Sequence, residues 1–247
     1  MEPAVLRDDM VDSLEHDAKG VVSSETVGLA LREVPRHEFV ADDRSAYVDQ
    51  AHEHGGTTVL APSLVARLFE ALQVQAGDSV LVVGAGVGYT AAVAAELAGP
   101  QHVHAVDITR HVVHDARANL DAAGYGAVFV DCRNGARGFP EYAPFDRILV
   151  EAAAVEPPRA LVDQLAPGGR LVMPRGVGEQ SLVAVEPSDV STDYETVERF
   201  GPVLFKPLLV EGEQAGAIER NRTWREDRER AAQAVQRGWE YDWIDWD

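Results

Sequence analysis

Val80-Leu81-Val82-Val83-Gly84-Ala85-Gly86-Val87-Gly88-Tyr89 reads as a strand, a bend and the start of a helix. Four consecutive apolar residues mark a strand covered on both faces, as in a parallel sheet. Three glycines then turn the chain sharply, and the alanine-rich run Tyr89 to Ala98 has helical composition. A glycine bend between a buried strand and a helix has the backbone to hold a nucleotide. Its spacing here is G-x-G-x-G rather than G-x-G-x-x-G, which suits a cofactor without a pyrophosphate.

The same alternation continues downstream. His102 to Asp107, Ala127 to Val130, Phe145 to Val150 and Arg170 to Pro174 read as strands. His111 to Ala123, and a helix closing over Leu161 to Leu165, lie between them. Leu182 to Val185 and a run from Phe200 to Leu209 read as antiparallel edge strands. Upstream, residues 9–38 read as helices, with Ser23-Ser24-Glu25 as an N-cap signal and Pro62 opening a further helix. His54-Gly55-Gly56-Thr57-Thr58 reads as a flexible, polar approach to that helix. Short β-α connections imply an α/β fold with a doubly wound, mostly parallel sheet. Residues 1–212 form the expected single domain. It comprises an N-terminal helical part (1–55), a cofactor-binding core (56–178) and edge strands (179–212). Residues 213–247 form a charged helical extension with Trp239, Trp243 and Trp246 at helical spacing. That stripe suits docking on the protein's own surface, or a partner.

Asp107 ends the second strand about twenty residues past the glycines, where a carboxylate accepts hydrogen bonds from ribose hydroxyls. Arg133-Asn134-Gly135 follows the third strand on the same edge, placing the Asn134 amide toward an adenine or, equally, in a simple turn.

Composition narrows the functions. The 247 residues are 46% hydrophobic and carry a net charge of −19, with Lys19 and Lys206 the only lysines. Such a surface repels nucleic acid and anionic lipid. Acids spread along the chain suggest adaptation to a high-salt cytoplasm. No apolar run is long enough to span a bilayer, and the acidic N-terminus is unlike a signal peptide. Cys132, the only cysteine, is expected to be a small core residue. His52 and His54 read as surface histidines near the substrate mouth, and no histidine spacing suggests a metal site.

At these residues the sequence resembles the protein-L-isoaspartate O-methyltransferase family. The resemblance rests on Val34-Pro35-Arg36 with Phe39-Val40, on Ala46-Tyr47 and Asp49, and on Ala61-Pro62. Its most specific stretch is Ala143 to Val150, running on through Ala152-Ala153-Ala154 and Pro158 to Pro167-Gly168-Gly169-Arg170-Leu171, with Pro207-Leu208 later. It implies a class I S-adenosylmethionine-dependent, Rossmann-like fold that methylates isoaspartyl carboxylates in damaged protein. It assigns the cofactor to Gly84, Ala85, Gly86, Gly88, Tyr89, Asp107, Ile108, Arg133, Asn134 and Gly135, and the reaction to the region of Thr58 and Leu60. Thr57, His54, Glu151 and Ala152 are the expected substrate neighbours. Leu60 stands where the family carries an active-site serine, and Glu151 where it has a small residue or threonine. A carboxylate acceptor is already ionised near neutral pH, so the chemistry asks for alignment rather than a general base. Two other readings remain open: a methyltransferase of this lineage with a different acceptor, and a non-catalytic module that keeps the cofactor pocket.

Overall fold

The computed structural model describes residues 2–16, 18–42, 45–188 and 194–209. The expected extension over residues 213–247 lies outside them. Two helices come first, α1 (Pro3–Glu15) and α2 (Glu25–Glu33). They are followed by the short strands β1 (His52–His54) and β2 (Thr57–Val59), then α3 (Pro62–Leu72). The core alternates β3 (Val80–Val83), α4 (Tyr89–Ala98), β4 (Val103–Asp107), α5 (Arg110–Ala122) and β5 (Phe129–Cys132). It continues with β6 (Phe145–Val150), α6 (Arg159–Val162), β7 (Leu165–Arg175), β8 (Gln180–Pro187) and β9 (Tyr194–Val203).

Among the described residues the large sheet runs β5-β4-β3-β6-β7-β8-β9. The first five strands are parallel, and β8 and β9 add on antiparallel. From β3 the chain steps outward to β5, then crosses back to place β6 on the other side of β3. That reversal opens a crevice at the carboxyl ends of β3, β4 and β6, where open α/β sheets bind ligands.

All four β3 side chains are buried, as the apolar run requires. Val80 and Val82 pack with residues of α1 to α5, whereas Leu81 and Val83 pack with Phe139, Phe145, Ile148 and Leu161. The two covers are unequal. Five helices lie on one face, while the other carries the short α6 and loop residues.

Five expectations need correcting, and the late strand expected over Phe200 to Leu209 is β9, which has ended by Val203. Residues 52–59 are not a flexible approach but a β-hairpin, pairing His54 with Thr57 and His52 with Val59. Gly55 and Gly56 both take positive φ (53° and 88°), the two-residue turn that matches strand twist. The third strand lies two residues later than expected. Cys132 is the last residue of this edge strand, past the buried Val130, and is exposed rather than core. The helix expected through Leu165 ends at Val162, because Leu165 already pairs with Phe145 in the sheet. Ser24 does stand at the N-cap of α2, but its side chain makes no capping bond and its hydroxyl instead meets Thr26 at 2.7 Å.

Candidate functional site

Gly84, Gly86 and Gly88 all adopt positive φ (88°, 51° and 94°), which side chains rarely tolerate, so the loop is glycine-built by conformation. Gly88 has a further reason: a Cβ there would lie 3.1 Å from Leu120 Cγ, so its absence lets α4 pack on α5. Tyr89 starts the helix pointing inward, 2% exposed, tilted against Phe39 and under the Arg36 guanidinium at 4.6 Å. It therefore supports the loop from behind rather than facing the crevice.

Asp107 ties the loop to the end of β4. Its carboxylate accepts hydrogen bonds from the Gly86 amide (3.2 Å) and the Thr109 amide (2.8 Å). Burial nevertheless pushes its pKa above the ordinary carboxylate range, which those amides only partly offset. Each oxygen keeps a lone pair for a further donor.

Beside Asp107 lies a cavity of about 400 Å³. That is within the range of roughly 300–1,000 Å³ usual for small-molecule sites. Its walls include Gly84, Asp107, Ile108, Gly135, Glu151 and Ala152 from the strand ends. Thr57, Thr58 and Leu60 close it on the hairpin side. The crevice thus brings together nine residues expected from the sequence.

Others are placed elsewhere. Arg133 is committed to Asp131 (2.9 Å) and Glu141 (2.8 Å), with its guanidinium 3.8 Å over the Phe139 ring. Asn134 Oδ1 accepts from the Ala136 amide at 3.0 Å, capping the 3-10 turn Gly135–Arg137. Its side-chain NH2 remains as a donor. Gly135 has to be glycine, since a Cβ would come 2.4 Å from Val83 Cγ1. His54 faces Asp115 at 3.3 Å, away from the residues that line the cavity. Ala85 and Gly86 form the buried side of the bend, both amides of Gly84 and Ala85 bonding to Val106 O.

Sequence reasoning missed two parts of the site. The segment Leu204 to Leu209 forms a wall of the cavity, with Thr109 and Val112 from the start of α5 opposite. Lys206 donates to Gly56 O at 3.0 Å and approaches Glu53 at 3.4 Å, joining that segment to the hairpin. The scarcity of lysine was the available signal. Glu53 is held below the ordinary carboxylate range, first by the Thr58 hydroxyl at 2.8 Å and then by Lys206.

Glu151 follows β6 directly, its amide bonded to Val83 O at 2.8 Å. Its carboxyl turns under the glycine bend. A Cβ on Gly84 would meet Glu151 Cβ at 3.5 Å. Burial pushes its pKa up to about 8; the Thr90 hydroxyl opposes this and Asp107 adds to it.

The described geometry meets its counterpart in known proteins. A family model for "Protein-L-isoaspartate(D-aspartate) O-methyltransferase" matches residues 7–213. The chain belongs to this family. A protein-L-isoaspartate O-methyltransferase of Methanosarcina mazei is 41% identical over 208 residues, covering 83% of each chain. One of Aeropyrum pernix is also 41% identical over 208 residues, covering 82% of this chain and 78% of that one. Among solved structures, one titled protein-L-isoaspartate O-methyltransferase has a TM-score of 0.70 at 27% identity, covering 87% of this chain and 69% of that chain. A Plasmodium falciparum structure assigned to the same family, in complex with S-adenosyl-L-homocysteine, has a TM-score of 0.72. At 21% identity it covers 82% of this chain and 97% of that one, and supports the fold.

Proposed function

We propose that this member of the family is an S-adenosylmethionine-dependent O-methyltransferase of isoaspartyl carboxylates in damaged protein. The observation that carries the reading is Asp107 at the end of β4, bonded to the glycine bend and facing a nucleoside-sized cavity at the sheet's reversal point. The residues fit the cofactor. Asp107 takes the ribose hydroxyls, Ile108 and Val112 give an apolar wall for the adenine, and Gly135 keeps Val83 clear of a side chain. When bound, S-adenosylmethionine supplies the methyl group, its sulfur keeping the electron pair as the new carbon–oxygen bond forms.

The chain's own contribution is alignment and exclusion of water. The hairpin lays Thr57 over the bend, its Oγ1 3.3 Å from where a Gly86 Cβ would stand. Lys206 and Thr57 are the polar groups at the mouth suited to an anionic acceptor, while Leu60 makes that wall apolar. Incubation with labelled cofactor and paired peptides tests this reading. Methyl transfer is expected to isoaspartyl peptide, with the aspartyl twin at background. Transfer to neither, with turnover on another acceptor, would replace it by the alternative of a different substrate.

The protein is proposed to work in a cytoplasm rich in salt, away from nucleic acid and membranes. Supporting this are the net charge of −19, the single cysteine, and the lack among the described residues of a helix long and apolar enough to cross a membrane. Surface carboxylates repel one another less as ions screen them. The melting temperature is therefore expected to rise along a potassium chloride series, and a maximum in dilute buffer would overturn the high-salt assignment.

A further inference from the structure

Adenine, ribose, sulfur and amino acid follow one another along the cofactor, and the strand ends follow one another along the sheet. Gly135 follows β5, Asp107 ends β4, Gly84 follows β3 and Glu151 follows β6. Neighbouring strands lie about 4.8 Å apart, so the β6 end is about 10 Å from the β4 end. With the ribose on Asp107, the sulfur, one methylene beyond the ring, would come over β3, and the α-amino nitrogen, four bonds past the sulfur, would reach β6. We infer that Glu151 holds the α-ammonium group of the cofactor, as the carboxylate partner of its amino-acid end. The inference rests on the cofactor reading above and adds the residue that recognises the far end of the ligand.

Three observations support it independently of that count. Glu151 lines the cavity, yet its Oε1 is buried and has no hydrogen-bond partner among the described residues. A buried carboxyl oxygen left unpaired costs stability and is satisfied by a donor that arrives with a ligand. The other charged groups on the cavity wall do not supply that donor. Asp107 is an acid, and Lys206 is engaged by Gly56 and Glu53. Behind the bend, Tyr89 and Arg36 face each other, and from α4 only the Thr90 hydroxyl supports the carboxyl. Among the described residues these two acids have no free cation beside them, which leaves the crevice short of positive charge.

Burial pushes the Glu151 pKa up to about 8, so near neutral pH a proton makes up part of that shortage. An ammonium group arriving there displaces the proton. Affinity then rises with pH from 6 toward 7.5, by an amount approaching tenfold per unit, because the acid must ionise to form the pair. The rise levels off near pH 8, where Glu151 ionises without the ligand.

Calorimetric titration of the full-length protein with S-adenosylhomocysteine, which bears the amine but no methyl group to transfer, tests this. In two buffers of different ionisation enthalpy at pH 7, release of most of one proton is expected. Glu151→Gln, close in shape and uncharged, is expected to raise Kd at least tenfold and abolish the release. Binding by the unaltered protein without proton release, or a Glu151→Gln Kd within twofold, would overturn the inference. So would an unchanged Kd joined to a raised KM for the peptide, which would instead make Glu151 a donor to the acceptor carboxylate. Complete absence of binding by the unaltered protein would be a different result, removing the cofactor reading itself. The wild-type proton count stands even if the variant fails to fold.

Discussion

Asp107→Ala is expected to raise the Kd for S-adenosylhomocysteine by about 100-fold or more, the largest loss of affinity from any single side chain in this crevice. Two causes add. On the proposed cofactor reading the carboxylate would take both ribose hydroxyls, and hydrogen bonds to an ionised group are each worth about 1.5–3 kcal/mol. It also holds the Gly86 amide at 3.2 Å and the Thr109 amide at 2.8 Å, so its removal loosens the bend and the first turn of α5 together. Asp107→Asn keeps one acceptor oxygen and is expected to fall between, at roughly tenfold.

The effect on the unliganded protein has the opposite tendency. Burial holds the Asp107 pKa above its ordinary range. Its contribution to stability is therefore complete below the unfolded-state value and declines as pH rises through the folded-state value. At neutral pH the ionised group costs the fold stability, and donors from a bound ligand offset that cost. Asp107→Asn is thus expected to leave the melting temperature without ligand level or higher, while shrinking the rise that ligand produces. Calorimetric titration and melting with and without S-adenosylhomocysteine check both halves. A loss of affinity below fivefold for Asp107→Ala would show that the ribose lies elsewhere.

The parts of this site that could be read in the sequence are those where one physical demand dominates. Burial on both faces forces the continuous apolar run of β3 and the Ile148-Leu149-Val150 end of β6, and Phe145–Val150 was bounded correctly although Asp146 and Arg147 interrupt its pattern. Positive φ forces the glycines of the bend, so the strand-bend-helix order was plain. The hairpin had a weaker but usable mark. Gly55-Gly56 followed by Thr57-Thr58-Val59 is a two-residue turn beside β-branched residues, yet His52-Glu53-His54 carries no apolar alternation to reveal its partner strand. β5 slipped by two residues because an edge strand is covered on one side only, and its exposed Phe129 imitates a core position. Arg133 and Tyr89 could not be placed at all from spacing. Their side chains leave the crevice for partners at Glu141 and Arg36, which are eight and 53 positions away along the chain. The wall from Leu204 to Leu209 comes from the far end of the sheet, and only tertiary packing brings it to the mouth.

Arg36→Met is expected to produce the largest loss of stability, about 2–4 kcal/mol, lowering the melting temperature by roughly 5–15 °C. Arg36 is 0% exposed and, among the described residues, its hydrogen bonds go to carbonyls rather than to a carboxylate. Its Nε donates to Ala46 O at 2.8 Å, and its Nη2 to Leu60 O at 2.7 Å and Gln50 O at 3.4 Å. Burial pulls its pKa down, while Tyr89 and the more distant Asp49 favour the charged form. Methionine fills much of the volume and removes the buried charge, which offsets part of the loss. The buried Ala46 carbonyl and the part-buried Leu60 carbonyl nevertheless lose their donor, at about 1–3 kcal/mol each. Arg36→Lys is expected to do no better. It keeps the charge in the same dry place, but an ammonium cannot span three carbonyls that a planar fork reaches from different sides. The consequence extends to the crevice, because Leu60 lines it and Tyr89 begins the helix after the glycine bend. Both variants are therefore expected to lose affinity for S-adenosylhomocysteine in step with stability. A lysine variant as stable as the wild type would show that charge alone, and not the shape of the guanidinium, holds the hairpin wall against the cofactor loop.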